Sequence, residues 1–185
     1  MIEVELKFGV NDLNGLVEKI IGAEFKETRP RIYELSVMYD NPDGLMQKTD
    51  GRIRLRQSGD RIEFAYKKPI SREGIKKEVE YQVIVSDLLN LQEILREIEF
   101  VPVSSYERYR TEYLLDDVKI TLDEYPFASF VEIEGEEKDI VEVAGRLDFR
   151  LADNLTDSCD TLFTKWREQK GLAPKLHMKF DDYDR

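Results

Sequence analysis

Three stretches of this 185-residue chain carry charge in a spacing suited to chemistry. Ile2-Glu3-Val4-Glu5-Leu6-Lys7-Phe8 alternates apolar and charged residues, so Glu3, Glu5 and Lys7 share one face of a strand. Arg52-Ile53-Arg54-Leu55-Arg56 sets three arginines on one face, and Glu132 and Glu134 stand opposite Val131 and Ile133. Neighbouring same-face carboxylates repel unless a cation lies between them. Carboxylate pairs therefore suit a hard divalent cation, and guanidinium forks suit the oxygens of a polyanion. A phosphate chain carried with a divalent metal uses both at once.

More strands of the same rhythm follow from the alternation. They place Glu63 and Lys67, then Lys76, Glu78 and Glu80, then Arg108, Arg110 and Glu112, then Lys119 and Asp123 on charged faces. The signs are sorted by strand, with arginines at 52–56 and 108–110 and carboxylates at 3–5, 78–80 and 132–134. The ordinary reading of such alternation is an antiparallel sheet with its charges in water. Solubility alone, however, favours mixed signs, because like charges on one face cost energy. The sorting favours charged faces that meet one another across a closed barrel, with the apolar faces outward under helices and no edge strand left open. The expected fold class is α+β, a closed eight-stranded antiparallel β-barrel forming a tunnel, with helices packed outside.

The elements needed to build it can be placed along the chain. Asn11 or Asp12 can cap a helix carrying Leu13, Leu16, Val17, Ile20 and Ile21, with Gly22 as its stop. Residues 29–31 read as a connection, 32–40 as a strand, and Asn41-Pro42-Asp43-Gly44 as a turn. Residues 52–56 and 62–68 read as a hairpin, 69–74 as a mobile loop and 75–85 as a strand. Ser86 is the expected cap of the next helix; strands at 106–115, 118–125 and 130–135 follow, the first two joined by Asp116-Asp117. Helices are expected at 138–151 and 156–170. The expected organisation is one domain over 1–171, with a loose polar tail at 172–185.

Composition removes several classes of function. No run approaches the roughly 18 apolar residues of a membrane helix, and a start directly in a charged strand predicts no signal peptide. One cysteine, Cys159, excludes an intrachain disulfide framework and fits a reducing, cytoplasmic compartment. A single histidine, His177, disfavours a histidine-built zinc site. The net charge of −11 disfavours general binding to nucleic acid or an anionic membrane, yet leaves room for a locally basic pocket.

The ordered set of strand motifs resembles the CYTH, or triphosphate tunnel metalloenzyme, superfamily over about residues 2–168. Glu3-x-Glu5-x-Lys7 is similar to its first strand, Ile53-Arg54-Leu55-Arg56 to its arginine-pair strand, and Tyr66-Lys67-Lys68-Pro69 to its lysine strand. Lys76, Glu78 and Glu80 resemble its basic-x-Glu-x-Glu strand, where arginine is commoner at the first position. Arg108, Arg110 and Tyr113 resemble its basic-x-Arg-x-x-Tyr strand. Asp123 and Phe130-x-Glu132-Ile133-Glu134 resemble its last two. The chain departs from the family at Ser158-Cys159, where Ser-Tyr is frequent; Cys159 reads as a small buried residue, and Tyr66 and Tyr113 face the apolar side.

The resemblance implies a tunnel that holds a small-molecule triphosphate with Mg²⁺ or Mn²⁺. Lys7, Arg54, Arg56, Lys67, Lys76, Arg108, Arg110 and Lys119 would bind phosphate. Glu3, Glu5, Asp123, Glu132 and Glu134 would hold the metal, with Glu78 and Glu80 as further tunnel carboxylates. Lys7 and Glu5 are the implied catalytic residues, Lys7 either as a base with a lowered pKa or as a plain phosphate contact. The first expected function is hydrolysis of tripolyphosphate, or of nucleoside or thiamine triphosphate. Class IV adenylyl cyclase is the alternative, and a non-catalytic binder of polyphosphate or phosphorylated ligands is the second alternative. A monomer or homodimer without nucleic-acid or membrane partners is expected.

Overall fold

The computed structural model describes residues 2–71 and 73–182, so Arg72 of the expected mobile loop and the last three residues of the expected tail lie outside the described residues. Eight strands alternate apolar and charged residues as read: β1 (Ile2–Val10), β2 (Lys26–Asp40), β3 (Arg52–Ser58), β4 (Arg61–Ser71), β5 (Lys76–Ile84), β6 (Val101–Leu115), β7 (Val118–Glu124) and β8 (Ser129–Glu134). They pair antiparallel in the order β2-β3-β4-β5-β1-β8-β7-β6, and β2 pairs back onto β6, which closes the barrel. Residues directly opposite in an antiparallel pair share a face. The pairs Glu5↔Glu134, Lys7↔Glu132, Glu5↔Lys76, Arg56↔Glu63 and Arg110↔Asp123 therefore turn one continuous charged surface inward.

Hydrophobic burial sits outside the barrel. Helices α1 (Leu13–Gly22) and α4 (Glu137–Arg146) cover the outer face through Leu16, Ile20, Ile140 and Val143, which pack with Leu6, Phe8, Ile120 and Ile133. Helix α3 (Leu88–Glu97) presses Leu95 onto Tyr39 and Leu55. Helix α5 (Cys159–Gln169) lies at one end, where Phe163 joins Met38, Tyr106, Tyr125 and Phe130. A fifth, short helix, α2 (Leu45–Thr49), follows the expected turn and was not legible in five residues; Asp40 accepts from Met46 N at 2.8 Å and Gln47 N at 3.2 Å to start it.

Several boundaries differ from expectation for identifiable reasons. The connection at 29–31 is part of β2, where register irregularities at Glu27/Arg29 and Arg29/Ile32 accommodate Pro30. Arg29 there turns towards Glu34 and Glu112, whereas Arg31 lies over the Tyr109 ring and pairs with Glu124. Pro102 is likewise inside β6, next to a third irregularity opposite Met38/Tyr39, and β4 runs through Pro69 to Ser71. Asp87 rather than Ser86 caps α3, accepting from Asn90 N at 3.0 Å. The helix expected at 138–151 stops at Arg146, with Asp148 in left-handed backbone, and α5 begins at Cys159 after the Ser158 cap rather than at Thr156. In the tail, His177–Met178 forms β9, a short parallel pair with β6, and buries Met178; this stretch is not loose.

Candidate functional site

The cations of the interior divide into clamped and unclamped groups. Arg108, on β6, donates through Nε and Nη2 to Glu34 at 2.9 and 2.7 Å, and through Nη1 to Asp123 at 2.8 Å and the Tyr125 hydroxyl at 3.2 Å. Arg110 is held by both oxygens of Asp123 at 2.5 Å and by Glu132 at 2.7 Å. Arg54 and Arg56, on β3, are different. Their buried Nε groups have no hydrogen-bond partner among the described residues, and the carboxylates around Arg56 stand off at 3.6 and 3.7 Å. Burial, then the neighbouring Arg54, Arg108 and Arg110, pull the Arg56 pKa down to about 10 against the opposing pull of Glu34. Buried donors without acceptors are costly. An anion bound in the tunnel would supply what they lack.

Carboxylates form the opposite pole. Single oxygens of Glu3, Glu5 and Glu134 all lie within 4.8 Å of one another. Burial pushes the Glu134 pKa up, with Glu3 and Glu132 adding to the rise and Lys119 opposing it. Glu3 has the same burial penalty, but Lys67 at 2.5 Å outweighs it and holds its pKa below the usual range. Three oxygen donors crowded into mutual repulsion are the donor set of a hard divalent ion. Each of the three also has a lysine beside it, Lys67 for Glu3, Lys76 for Glu5 and Lys119 for Glu134; Glu132 is paired with Lys7 at 3.0 Å and Arg110 at 2.7 Å, which carry its pKa far down against burial.

An eight-stranded tunnel with cations and carboxylates sorted along its wall is the arrangement read from the strand motifs, and the profile of the CYTH domain matches residues 1–150. The chain belongs to the CYTH domain family. A Methanocaldococcus jannaschii protein named "Putative adenylate cyclase" is 27% identical over 143 residues, covering 77% of this chain and 81% of its own length. Two solved structures share the fold. One, a protein of Vibrio parahaemolyticus described as a putative adenylate cyclase, has a TM-score of 0.79 at 18% identity and covers 88% of this chain and 98% of its own. Another, from Hippeastrum, is described as a putative adenylyl cyclase with a dominant triphosphatase activity; it has a TM-score of 0.66 at 16% identity and covers 96% and 99%.

Within this CYTH barrel, the interior cavity of about 620 Å³, open water included, gathers Glu3, Glu5, Lys7, Arg54, Arg56, Lys67, Lys76, Glu78, Arg108, Arg110, Glu132 and Glu134 from the sequence-derived set. Three residues fall elsewhere. Asp123 is fully buried behind Arg108 and Arg110 and is apart from the acid trio, so its place is that of an anchor for two guanidinium groups. Lys119 pairs with Glu134 at 2.5 Å from a neighbouring cleft, and Glu80, facing Lys67 and Arg54, opens onto that cleft too. Lys7 has carboxylates rather than cations beside it. Burial would lower its pKa, but Glu132 and Glu5 outweigh burial and raise it, so the ammonium stays protonated and the role of a neutral base is not supported.

The structure adds residues that the sequence did not single out. Glu34, with no exposed surface, binds Arg108 and faces Arg56 and Arg29. Its signal was available: it alternates with Tyr33, Leu35 and Val37, so the inward face of that strand had to carry it. Met38, Tyr106, Tyr125 and the segment Ser158–Asp160 finish one end of the cavity. No strand alternation points to 158–160, which reach the tunnel only because α5 is folded over its end. The Cys159 thiol is pushed well up by burial and by Asp160, so it is a packing residue rather than a nucleophile. Tyr113 is in the outer core, on the apolar side as expected.

Proposed function

We propose that this chain hydrolyses a triphosphate bound in the barrel, with Mg²⁺ or Mn²⁺ as cofactor. The observation that carries the reading is the pair of buried, unpartnered Nε donors of Arg54 and Arg56 facing the acid trio across one cavity. Arg54 and Arg56 would grip phosphate oxygens as planar forks, and Lys67, Lys76 and protonated Lys7 as point charges, while Arg110, its fork held by Asp123, would add charge beside them. Glu3, Glu5 and Glu134 would hold the metal, which when bound neutralises charge and lowers the pKa of a water. Glu5, one of that trio, accepts from Lys76 at 2.7 Å and lies 3.8 Å from the Lys7 ammonium. In the hydrolysis a water oxygen bonds to phosphorus, one P–O–P link breaks and the water's proton goes to a tunnel carboxylate or solvent. The triphosphatase activity in the Hippeastrum description agrees with this reading.

A second reading, cyclisation of ATP with release of pyrophosphate, is favoured by the name of the Methanocaldococcus jannaschii relative. The two differ in which phosphorus meets the nucleophile. Incubation with tripolyphosphate or ATP plus magnesium or manganese separates them: orthophosphate supports hydrolysis, cyclic AMP with pyrophosphate supports cyclisation, and neither product overturns both.

Two further outcomes follow from the charges. Replacing Arg54 or Arg56 by methionine should weaken triphosphate binding by roughly 1.5–3 kcal/mol, the scale of a charge-assisted hydrogen bond. The unliganded variants should be no less stable, because like-charge repulsion falls; unchanged affinity in titration calorimetry would rule out phosphate contact. Triphosphate and metal together should raise the thermal midpoint more than the sum of each alone, since each relieves one pole and attracts the other. At a ligand concentration of about 100 Kd, linkage gives about 2.7 kcal/mol. That is a rise of roughly 5–11 °C for a domain of this size. Small additive shifts would count against the tunnel as the binding site.

A further inference from the structure

Six carboxylates line the tunnel cavity: Glu3, Glu5, Glu78, Glu132, Glu134 and Asp160. Five of them are ion-paired, Glu3 with Lys67, Glu5 and Glu78 with Lys76, Glu132 with Lys7, and Glu134 with Lys119. Asp160 is the exception among the described residues: Arg52 and Lys7 act on it only through their field. A carboxylate held by a cation has lost proton affinity, because the pair favours the ionised form. One left unpaired and partly desolvated keeps it. Burial raises the Asp160 pKa, against the pull of Arg52, its own backbone N–H and Lys7. Glu134 is raised too, but Glu3 and Glu132 contribute to that rise, and its oxygen is one of the three crowded together.

The fold fixes where Asp160 stands. It is the second residue of α5, whose first turn is capped by Ser158 Oγ accepting from Thr161 N at 3.3 Å. The segment before the helix is tied to β1. Leu155 N donates to Lys7 O at 2.8 Å, Lys7 N donates to Asn154 Oδ1 at 2.8 Å, and the Lys7 ammonium donates to the Asp157 carbonyl at 3.4 Å. Asp160 is thereby held over the same end of the cavity as Lys7 and Arg52. One step along the inward face of β3 from Arg52 is Arg54, whose Nε lacks a partner.

We infer that Asp160 is the base that takes the proton of the attacking water in triphosphate hydrolysis. The inference rests on the proposed triphosphatase reading and deepens it by naming the carboxylate. An unpaired carboxylate beside an anion seat repels the ligand, a cost that proton acceptance offsets. With the terminal phosphate on Lys7 and Arg54, a water between that phosphate and α5 has Asp160 as its acceptor. The water oxygen bonds to the terminal phosphorus. The bridging P–O bond breaks with its electron pair leaving on the diphosphate product, and the proton passes to the Asp160 carboxylate and then to solvent.

Asp160→Asn tests this with tripolyphosphate as the substrate. Turnover with magnesium should fall about 10²–10⁴-fold, the contribution of a positioned base. The tripolyphosphate Kd measured with calcium should stay the same or fall, since a negative charge leaves the seat. The base works only when ionised, so parent turnover should decline as pH falls through the raised carboxyl pKa, and the residual rate of the variant should lack that decline. Around Asp160 stand Arg52 on β3, Lys7 on β1 and the Cys159 thiol on its own helix; the Lys7 and Cys159 pKa values are both raised, so neither titrates in the acid range. Titration of the tripolyphosphate itself is common to both proteins. Near-parent turnover, a loss of binding that matches the loss of turnover, or an unchanged acid limb would overturn the assignment. If Asp160→Asn does not fold, Asp160→Glu takes its place: its acid limb should move because the carboxyl is seated differently, and an unmoved limb overturns the base. No orthophosphate from the unaltered chain would overturn the triphosphatase reading, and the base with it.

Discussion

Glu134→Gln should lower turnover by about 10²–10³-fold, the scale of deleting one element of a preorganised electrostatic site, while the protein stays folded. Its oxygen is one of the three crowded within 4.8 Å, and glutamine keeps the shape but not the charge that would hold a metal. The stability side has a definite sign. Burial, Glu3 and Glu132 raise the Glu134 pKa, so its ionised form is disfavoured in the folded chain. Removing that charge relieves repulsion, although Lys119 loses its partner on the more exposed rim. The unliganded variant should therefore unfold at a midpoint close to that of the parent and show no manganese-dependent shift. Retention of near-normal turnover, or equal activity of the parent in excess chelator, would remove the metal role from the acid trio.

Glu34→Gln should cost about 3–5 kcal/mol of stability, because removing one partner of a buried ion pair leaves the other charge uncompensated. Arg108 depends on Glu34 for two donor contacts, and Arg56 and Arg29 face the same carboxylate. Burial would raise the Glu34 pKa, but Arg108, Arg56 and Arg110 outweigh it and hold it far below the usual carboxylate range. The stabilisation is thus fully present above the unfolded pKa of about 4.3 and is lost as pH falls through the depressed folded value. Urea unfolding across pH 3–7 (about the carboxylate range) should show the parent losing stability towards acid and the variant less dependent on pH. Tripolyphosphate should restore more stability to the variant than to the parent, since it supplies the missing anion. Equal rescue of both would make Glu34 a packing residue without a part in ordering the arginines.

The sequence by itself determined the strands, the face each presents, and hence the charged lining. A period of two is set by backbone geometry, and sorted charges such as Glu3, Glu5, Arg54 and Arg56 survive any tertiary arrangement that keeps their face together. Its limits were the places where alternation breaks or is overridden. Residues 29–31 hid inside a bulged strand because proline normally marks a break, and only the closure of β2 onto β6 supplies the pairing that keeps it there. Lys7 looked like a candidate base, but its pKa depends on Glu132, which lies opposite it only through the β1–β8 register. Asp123 matched the metal motif, yet Arg108 and Arg110 occupy both its oxygens. Glu34 and Ser158–Asp160 became part of the interior when the barrel closed and α5 crossed its end. Strand periodicity is a local property of the chain; which charge neutralises which is a matter of a few ångströms between strands far apart in sequence, and only the closed barrel fixes those distances.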